Sequence, residues 1–515
     1  MEQNRQVAIE MRGITKTFGS IVANKDVDLS VYRGEILALL GENGSGKTTL
    51  MNMLSGIYFP DAGEILVGGK PVSIRSPKDA FTYGIGMIHQ HFKLVDIFSA
   101  VENVALAMDT KEKYNLKAVA ARMQEICNRY GFDLDVHQKV YDMSVSQKQT
   151  LEIVKVLYRG ADFLILDEPT AVLTPQEADK LFQVIRNMRE DGKSVIIITH
   201  KLHEVLSISD RVTILRKGKY IGTVDTCDAT ENSLTEMMVG QKVELNIDRP
   251  EPINPEPRIV LKNVTCKSAE GVTVLDNISF TINSGEILGI AGISGCGQKE
   301  LLEAIAGLQN VEQGSSILYY SPEDRKTTEL VGKSPRKIRD LGVALSFVPE
   351  DRLGMGLVGS MGMTENMMLR YYNESKSIFA ESKKPRKLAI KIKDDLKVVT
   401  PGIDTPVRAL SGGNVQKVLV GREIAASPTV LMTAYAVRGL DINTSYMIYH
   451  LLNEQKQAGV AVVYVGEDLD VLLEISDRIL VLCGGKVNGI VDARSTTKSE
   501  VGLLMTNLKK EAQHD

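Results

Sequence analysis

The chain has 515 residues, a formal net charge of −4 and 43% hydrophobic residues, too long for one core and ordinary for globular protein, so two to four domains are expected. The near-neutral balance gives no electrostatic reason to expect nucleic acid or an anionic lipid surface as main partner. The five scattered cysteines contain no CxxC pair, suggest neither a zinc site nor a disulfide framework, and fit a reducing compartment.

In chain order, the polar start MEQNRQVAIEMRG lacks the apolar core of a signal peptide. No run approaches the roughly 18 apolar residues of a spanning helix, so any membrane role is expected to run through a partner. Ile36–Leu40 reads as a buried strand. It leads into Gly41-Glu42-Asn43-Gly44-Ser45-Gly46-Lys47-Thr48, which satisfies GxxxxGK[ST], and then into a helix opening at Thr49. Glycines let backbone N–H groups wrap phosphates, and the helix N-terminus adds its positive end. Lys47 is expected to reach the β- and γ-phosphates of a nucleotide, and the Thr48 hydroxyl to ligate Mg²⁺.

A mostly helical insertion follows around 110–140. Phe163–Leu166 reads as a second buried strand ending in Asp167-Glu168. A carboxylate at such a strand end suits Mg²⁺ held through water, which is the role expected of Asp167. Glu168 is placed to polarise an attacking water as general base. His200, just beyond the strand Ser194–Ile198, is placed to sense the γ-phosphate.

Four prolines in Asp248–Pro257 cannot join a helix or central strand. The expected division is a domain at 1–245, an extended linker at 246–257 and a domain at 258–515. The second domain repeats the first: Ile282-Asn-Ser-Gly-Glu-Ile-Leu288 matches Val31-Tyr-Arg-Gly-Glu-Ile-Leu37. A second helical insertion spans about 373–400. Its run of Lys383, Lys384, Arg386, Lys387, Lys391 and Lys393 reads as a solvated helix face.

The second loop, Gly292-Ile-Ser-Gly295-Cys-Gly297-Gln298-Lys299, has an amide where the phosphate lysine belongs. It has an ammonium, which cannot ligate Mg²⁺, where the hydroxyl belongs. Lys299 projects about 100° away from the direction of residue 298 on a helix.

These elements, in this order, resemble the ATP-binding-cassette family over nearly the whole chain. The resemblance implies an α/β fold with two tandem phosphate-loop domains. Each would have a RecA-like α/β core, an antiparallel β subdomain and a helical subdomain, with ATP and Mg²⁺ as cofactors. It implies that Phe18 stacks on adenine and that Gln90 is a further Mg²⁺ contact coupled to a transport partner. It also implies head-to-tail sites, each joining one domain's phosphate loop to the other's LSGGQ-type signature. The second domain keeps that signature as Leu410-Ser411-Gly412-Gly413-Asn414, with Asp441 as the carboxylate further on. The first has Met143-Ser144-Val145-Ser146-Gln147, and a Cβ at Ser146 is expected to crowd a backbone meant for phosphate.

Alignment on Arg438–Asp441 puts Ala434 at the metal aspartate, Tyr435 at the catalytic glutamate, Glu467 at the switch histidine and Glu350 at the loop glutamine. No aromatic stands near Ala269. Paired head-to-tail, every loss collects in one composite site and the other is spared. Ser146, Lys299, Tyr435 and Val415 depart even from the degenerate pattern of sugar importers.

The short proline-rich linker favours transport over the soluble translation-factor cassettes, whose linker is long, charged and helical. The Gln298 loop, Pro349-Glu-Asp-Arg352 and Thr400–Asn414 resemble bacterial importers of simple sugars and nucleosides. Gly84–Asp96, with His89-Gln90-His91-Phe92, looks most like the nucleoside branch. That branch implies two membrane permease subunits, a substrate-binding lipoprotein and a peripheral place on the cytoplasmic face of the membrane.

Overall fold

The computed structural model describes residues 6–19, 21–89, 92–108, 115–171, 173–241, 246–268, 270–293, 295–340, 345–349, 351–371, 382–438, 440–466 and 468–506. The chain divides into two compact units, Met1–Glu244 and Leu245–Asp515, and each is an α/β structure of the same plan.

In the first unit, the described residues form a sheet in the order Lys219–Asp225, Arg211–Arg216, Ile36–Leu40, Ser194–Ile198, Phe163–Asp167, Ile85–Ile88. Ile36–Leu40 pairs in parallel with both its neighbours. Its five residues are all buried, which is why the sequence there is a continuous apolar run rather than an alternating one. An antiparallel sheet, Ile21–Tyr32, Val7–Phe18, Ala62–Val67, Lys70–Val72, packs against it. Ile9, Met11 and Val31 of this second sheet share a core with Leu37, Leu39 and Leu50.

The helical insertion has a core of its own. In Leu116–Tyr130 the buried residues Val119, Met123, Cys127 and Tyr130 recur at helical spacing on one face. Asn115 caps the start of this helix through its side chain, and Gly131, at φ 83, ends it in the left-handed region. Val119, Met123 and Cys127 pack with Val101 and Val104 of Ala100–Leu106 and with Leu151 and Val154 of Val145–Tyr158.

The second unit repeats the plan. Its main sheet runs Leu345–Val348, Val430–Ala434, Ala461–Val465, Ile287–Ala291, Arg478–Cys483, Lys486–Asp492. Its antiparallel sheet runs Thr273–Asn283, Pro257–Lys267, Ser316–Tyr320, Thr327–Glu329. In the basic helix Lys383–Asp395 only Pro385, Ala389 and Ile392 are buried, so the charge run is a solvated face.

The proline-rich segment before Pro257 forms no helix or strand, yet it is bound to the second unit. Ile247 is buried in that unit's core. Arg249 donates to the carbonyls of Leu473 and Ser476 at 2.6 and 2.7 Å. The buried Lys456 donates to the Pro250 carbonyl and pairs with Asp477 at 2.7 Å.

Candidate functional site

In the first unit, strand Ile36–Leu40 delivers the chain into the phosphate loop, and helix Lys47–Leu54 follows. Gly46 stands at the helix start with φ 95, and a Cβ there would lie 2.4 Å from the Ala23 carbonyl, so no other residue fits. No side chain caps this helix, which leaves its leading N–H groups facing the loop. Lys47 is only 7% exposed and donates to the Gly41 and Glu42 carbonyls at 2.6 and 3.1 Å. Burial draws its pKa down, while Glu168, Asp167 and Glu42 pull in the opposite direction.

Thr48 donates to Asp167 at 3.4 Å. Burial, then the neighbouring charge of Glu168, pushes the Asp167 carboxyl up to about 6. A hydroxyl facing a half-buried carboxylate, with a second carboxylate beside it, is a donor set that suits a hard cation such as Mg²⁺. Glu168 sits at the strand end with φ 50, and its amide donates to the Ile198 carbonyl at 2.8 Å. One carboxylate oxygen lies 2.9 Å from Nδ1 of the exposed His200. The other is buried and has no hydrogen-bond partner among the described residues, as suits a general base. The structure therefore brings Lys47, Thr48, Asp167, Glu168 and His200 to one place.

The second unit keeps the backbone and loses these groups. Gly297 takes φ 100 at the start of helix Gln298–Ile305. Gln298 is 3% exposed and turns inward as Lys47 does, donating to the Ile293 carbonyl at 3.2 Å. Lys299 points outward instead, more than half exposed and 3.8 Å from Glu303. Ala434 ends strand Val430–Ala434. Tyr435 repeats the φ of 50, with its amide on the Val465 carbonyl at 2.9 Å.

The two signature helices differ in what meets their first N–H groups. In Val145–Tyr158, Ser144 accepts from the Gln147 amide at 3.2 Å, and the Gln147 side chain accepts from the Ser144 amide at 2.9 Å. Ser146 sits 3.0 Å from the Ser144 hydroxyl. This closed capping box satisfies the helix from within. In Gly412–Ala425, Ser411 makes no such cap. Its hydroxyl is held 2.8 Å from the Asn414 amide, and Asn414 in turn accepts from the Val399 amide at 2.9 Å. The intact signature thus presents uncapped N–H groups, and the degenerate one does not. Asp441 caps helix Ile442–Gln457 by accepting from the amide and hydroxyl of Thr444 at 2.9 and 2.8 Å. Thr174 caps Pro175–Glu190 at the matching place.

The family model described as ABC transporter matches residues 24–171 and 275–433. The chain belongs to the ABC transporter family. It is similar to the nucleoside import ATP-binding protein NupA of Lactococcus lactis, 41% identical over 505 residues, covering 97% of this chain and 98% of that protein. It is similar to the guanosine import ATP-binding protein NupO of Bacillus subtilis, 41% identical over 513 residues, covering 98% and 99%. It is also similar to the ribose import ATP-binding protein RbsA 1 of Rubrobacter xylanophilus, 37% identical over 504 residues, covering 97% and 98%. Both halves are nucleotide-binding cassettes, and the chain is an ATPase. Among the described residues no helix is long and apolar enough to cross a membrane.

Within the first cassette, two supports were missed by motif reading. Thr170 donates to the buried Glu204 at 2.7 and 2.6 Å. Lys201 reaches both the Thr170 carbonyl and Glu204 at 3.1 Å. This network ties the turn after Glu168 to the segment that carries His200. Gln149, on the signature helix, donates to the Pro169 carbonyl at 2.6 Å. The second cassette has Val437 and Val471 in place of Thr170 and Glu204. Gln416, in place of Gln149, is fully buried, with neither side-chain atom hydrogen-bonded among the described residues. The charges of Lys201 and Glu204, three residues apart at a helix start, were the only sequence signal for the network. Gln90, His91, Ala269, Glu350 and Glu467 lie outside the described residues.

Proposed function

We propose that this chain is the ATP-hydrolysing subunit of a nucleoside importer, acting on two membrane permease subunits supplied by a substrate-binding lipoprotein, from the cytoplasmic face of the membrane. What carries the catalytic part is Glu168, with one oxygen held by His200 and the other buried and unpartnered. That geometry suits a carboxylate that takes a proton from water attacking the γ-phosphorus. Lys47 leaves its loop carbonyls for the β- and γ-phosphates, which supply the charge its buried ammonium needs. Thr48 and Asp167 would hold Mg²⁺, which would supply countercharge to the phosphate oxygens when bound. His200 keeps Glu168 aligned and reports loss of the γ-phosphate.

In this reading the first cassette's phosphate loop works with Ser411, Gly412, Gly413 and Asn414 of the second. The loop at Gly292 works with the signature at Ser144 and Ser146 as a site without hydrolysis. Gln298 and Lys299 support that division, one turned inward as a neutral amide and the other outward to Glu303. The nucleoside assignment is supported by NupA and NupO, which are import proteins of that class at 41% identity. Uptake of labelled nucleosides and of ribose by a deletion strain tests it. Nucleoside uptake is expected to fall and to return with the wild-type gene but not with Glu168→Gln. Loss of ribose uptake alone would overturn the substrate and keep the ATPase.

A further inference from the structure

The first cassette displays three large aromatic side chains that the chemistry above leaves unused or only half used. Phe18, Tyr58 and Phe59 are 43%, 37% and 49% exposed, a costly way to leave apolar rings unless something covers them. Phe18 and Tyr58 form an edge-to-face pair, with centroids 5.2 Å apart and planes at 71°. Lys16 braces the group: it donates to the Phe59 carbonyl at 2.8 Å, pairs with Asp61 at 2.7 Å and lies 5.6 Å from the Phe18 ring centre.

Both rings stand on segments tied to the phosphate loop. Phe18 faces Ile21 across a hairpin in which Lys16 faces Asn24, and Asn24 donates to the Gly46 carbonyl at 3.2 Å. Tyr58 is set by the turn that ends the phosphate-loop helix, where the amides of Ile57 and Tyr58 both reach the Asn52 carbonyl, at 2.8 and 3.1 Å.

The second cassette is an internal control. Residues 16–61 and 267–312 align without a gap. The brace persists as Lys267 and Glu312 at 3.4 Å. The turn persists too, with the amides of Leu308 and Gln309 on the Glu303 carbonyl at 2.8 and 3.2 Å. Yet in the sequence Ala269, Gln309 and Asn310 take the positions of Phe18, Tyr58 and Phe59, and the Gln309 side-chain amide donates to the Lys267 carbonyl at 2.8 Å. The scaffold folds without the rings, and the rings accompany the intact nucleotide chemistry.

We propose that Tyr58 is a positioning residue for adenine, holding the Phe18 ring edge-to-face so that the base meets a platform already set. This rests on Phe18 stacking the base. A preformed platform lowers the ordering cost of binding, so its loss raises KM and spares the chemical step.

Steady-state hydrolysis by the full chain tests this. Tyr58→Ala is expected to raise KM for ATP by about 2- to 12-fold, the value of one aromatic pair, with kcat retained. Tyr58→Phe, which keeps the ring, restores the wild-type KM. Tripolyphosphate, which has phosphates and no base, is expected to inhibit Tyr58→Ala and wild type equally. An unchanged KM in Tyr58→Ala beside a raised KM in Phe18→Ala would overturn the role of Tyr58. Weakened tripolyphosphate inhibition would overturn it as well, by showing damage to the phosphate loop. An unchanged KM in Phe18→Ala would instead remove the stacking role of Phe18 on which the inference stands.

Discussion

Asp167-Glu168 and Ala434-Tyr435 follow the same path out of the same strand. Glu168 and Tyr435 share a φ of 50 and a hydrogen bond from the backbone amide to a carbonyl of the neighbouring strand. A left-handed φ on such residues costs on the order of 1–3 kcal/mol, and it is borne equally where Ala434 and Tyr435 replace the two carboxylates. The strained turn is therefore a property of the fold, and only the side chains decide whether it does chemistry. The signatures make the same point in reverse: both helices keep their starting serine, and the capping box alone separates a closed end from an open one. Shape has been kept in both cassettes while reactive groups were lost.

The largest break in that comparison is expected from Glu168→Gln, which removes the base and keeps the size. ATP turnover should fall by about 10²- to 10⁴-fold in a phosphate-release assay. Gly413→Ala comes next. A Cβ there lies 3.4 Å from Asp441, ordinary contact, so the cassette should fold with an unchanged melting curve. Turnover should nevertheless drop on the order of 10²-fold as backbone donors lose their approach to phosphate. Retained activity would show that the uncapped helix start does not serve ATP.

Glu204→Leu attacks the support of the intact turn. With the Thr170 and Lys201 contacts broken, stability should fall by about 1–3 kcal/mol in denaturant titration, with slower turnover. The same class of change at the buried glutamines should go opposite ways. Gln149→Leu strands the Pro169 carbonyl and should destabilise by about 1–2 kcal/mol, whereas Gln416→Leu removes an unpaired buried amide and should be neutral or stabilising. Smallest of all, Tyr435→Phe and Ser146→Gly should leave turnover within about twofold. A large loss from either would mean that the degenerate site turns over ATP.

Much of this was legible because it is local. Ile36–Leu40 and Ser194–Ile198 announce buried strands by unbroken apolar runs, and Gly41–Thr48 announces its loop because few residue types tolerate that backbone. Gln298 and Ala434 follow from alignment of the halves. Contacts across long stretches of sequence were not legible. Thr170 and Glu204, Gln149 and Pro169, and Arg249 with Leu473 meet only after folding. Proline composition says that the linker cannot form a helix or central strand, not what it lies against. Asp441 carried a hint in Thr444, three residues on, that its carboxylate caps a helix.

The anchored proline-rich segment before Pro257 matters for assembly. Random pairing of separately made halves would put unlike partners together only about half the time, and the remainder would be complexes of two like halves. In the proposed head-to-tail arrangement, each like pair would lack either the hydrolysing loop or the open signature. Joining the halves through a segment anchored by Ile247, Arg249 and Lys456 fixes their stoichiometry at synthesis, so the unequal pair is inherited as one gene product and no sorting step is required.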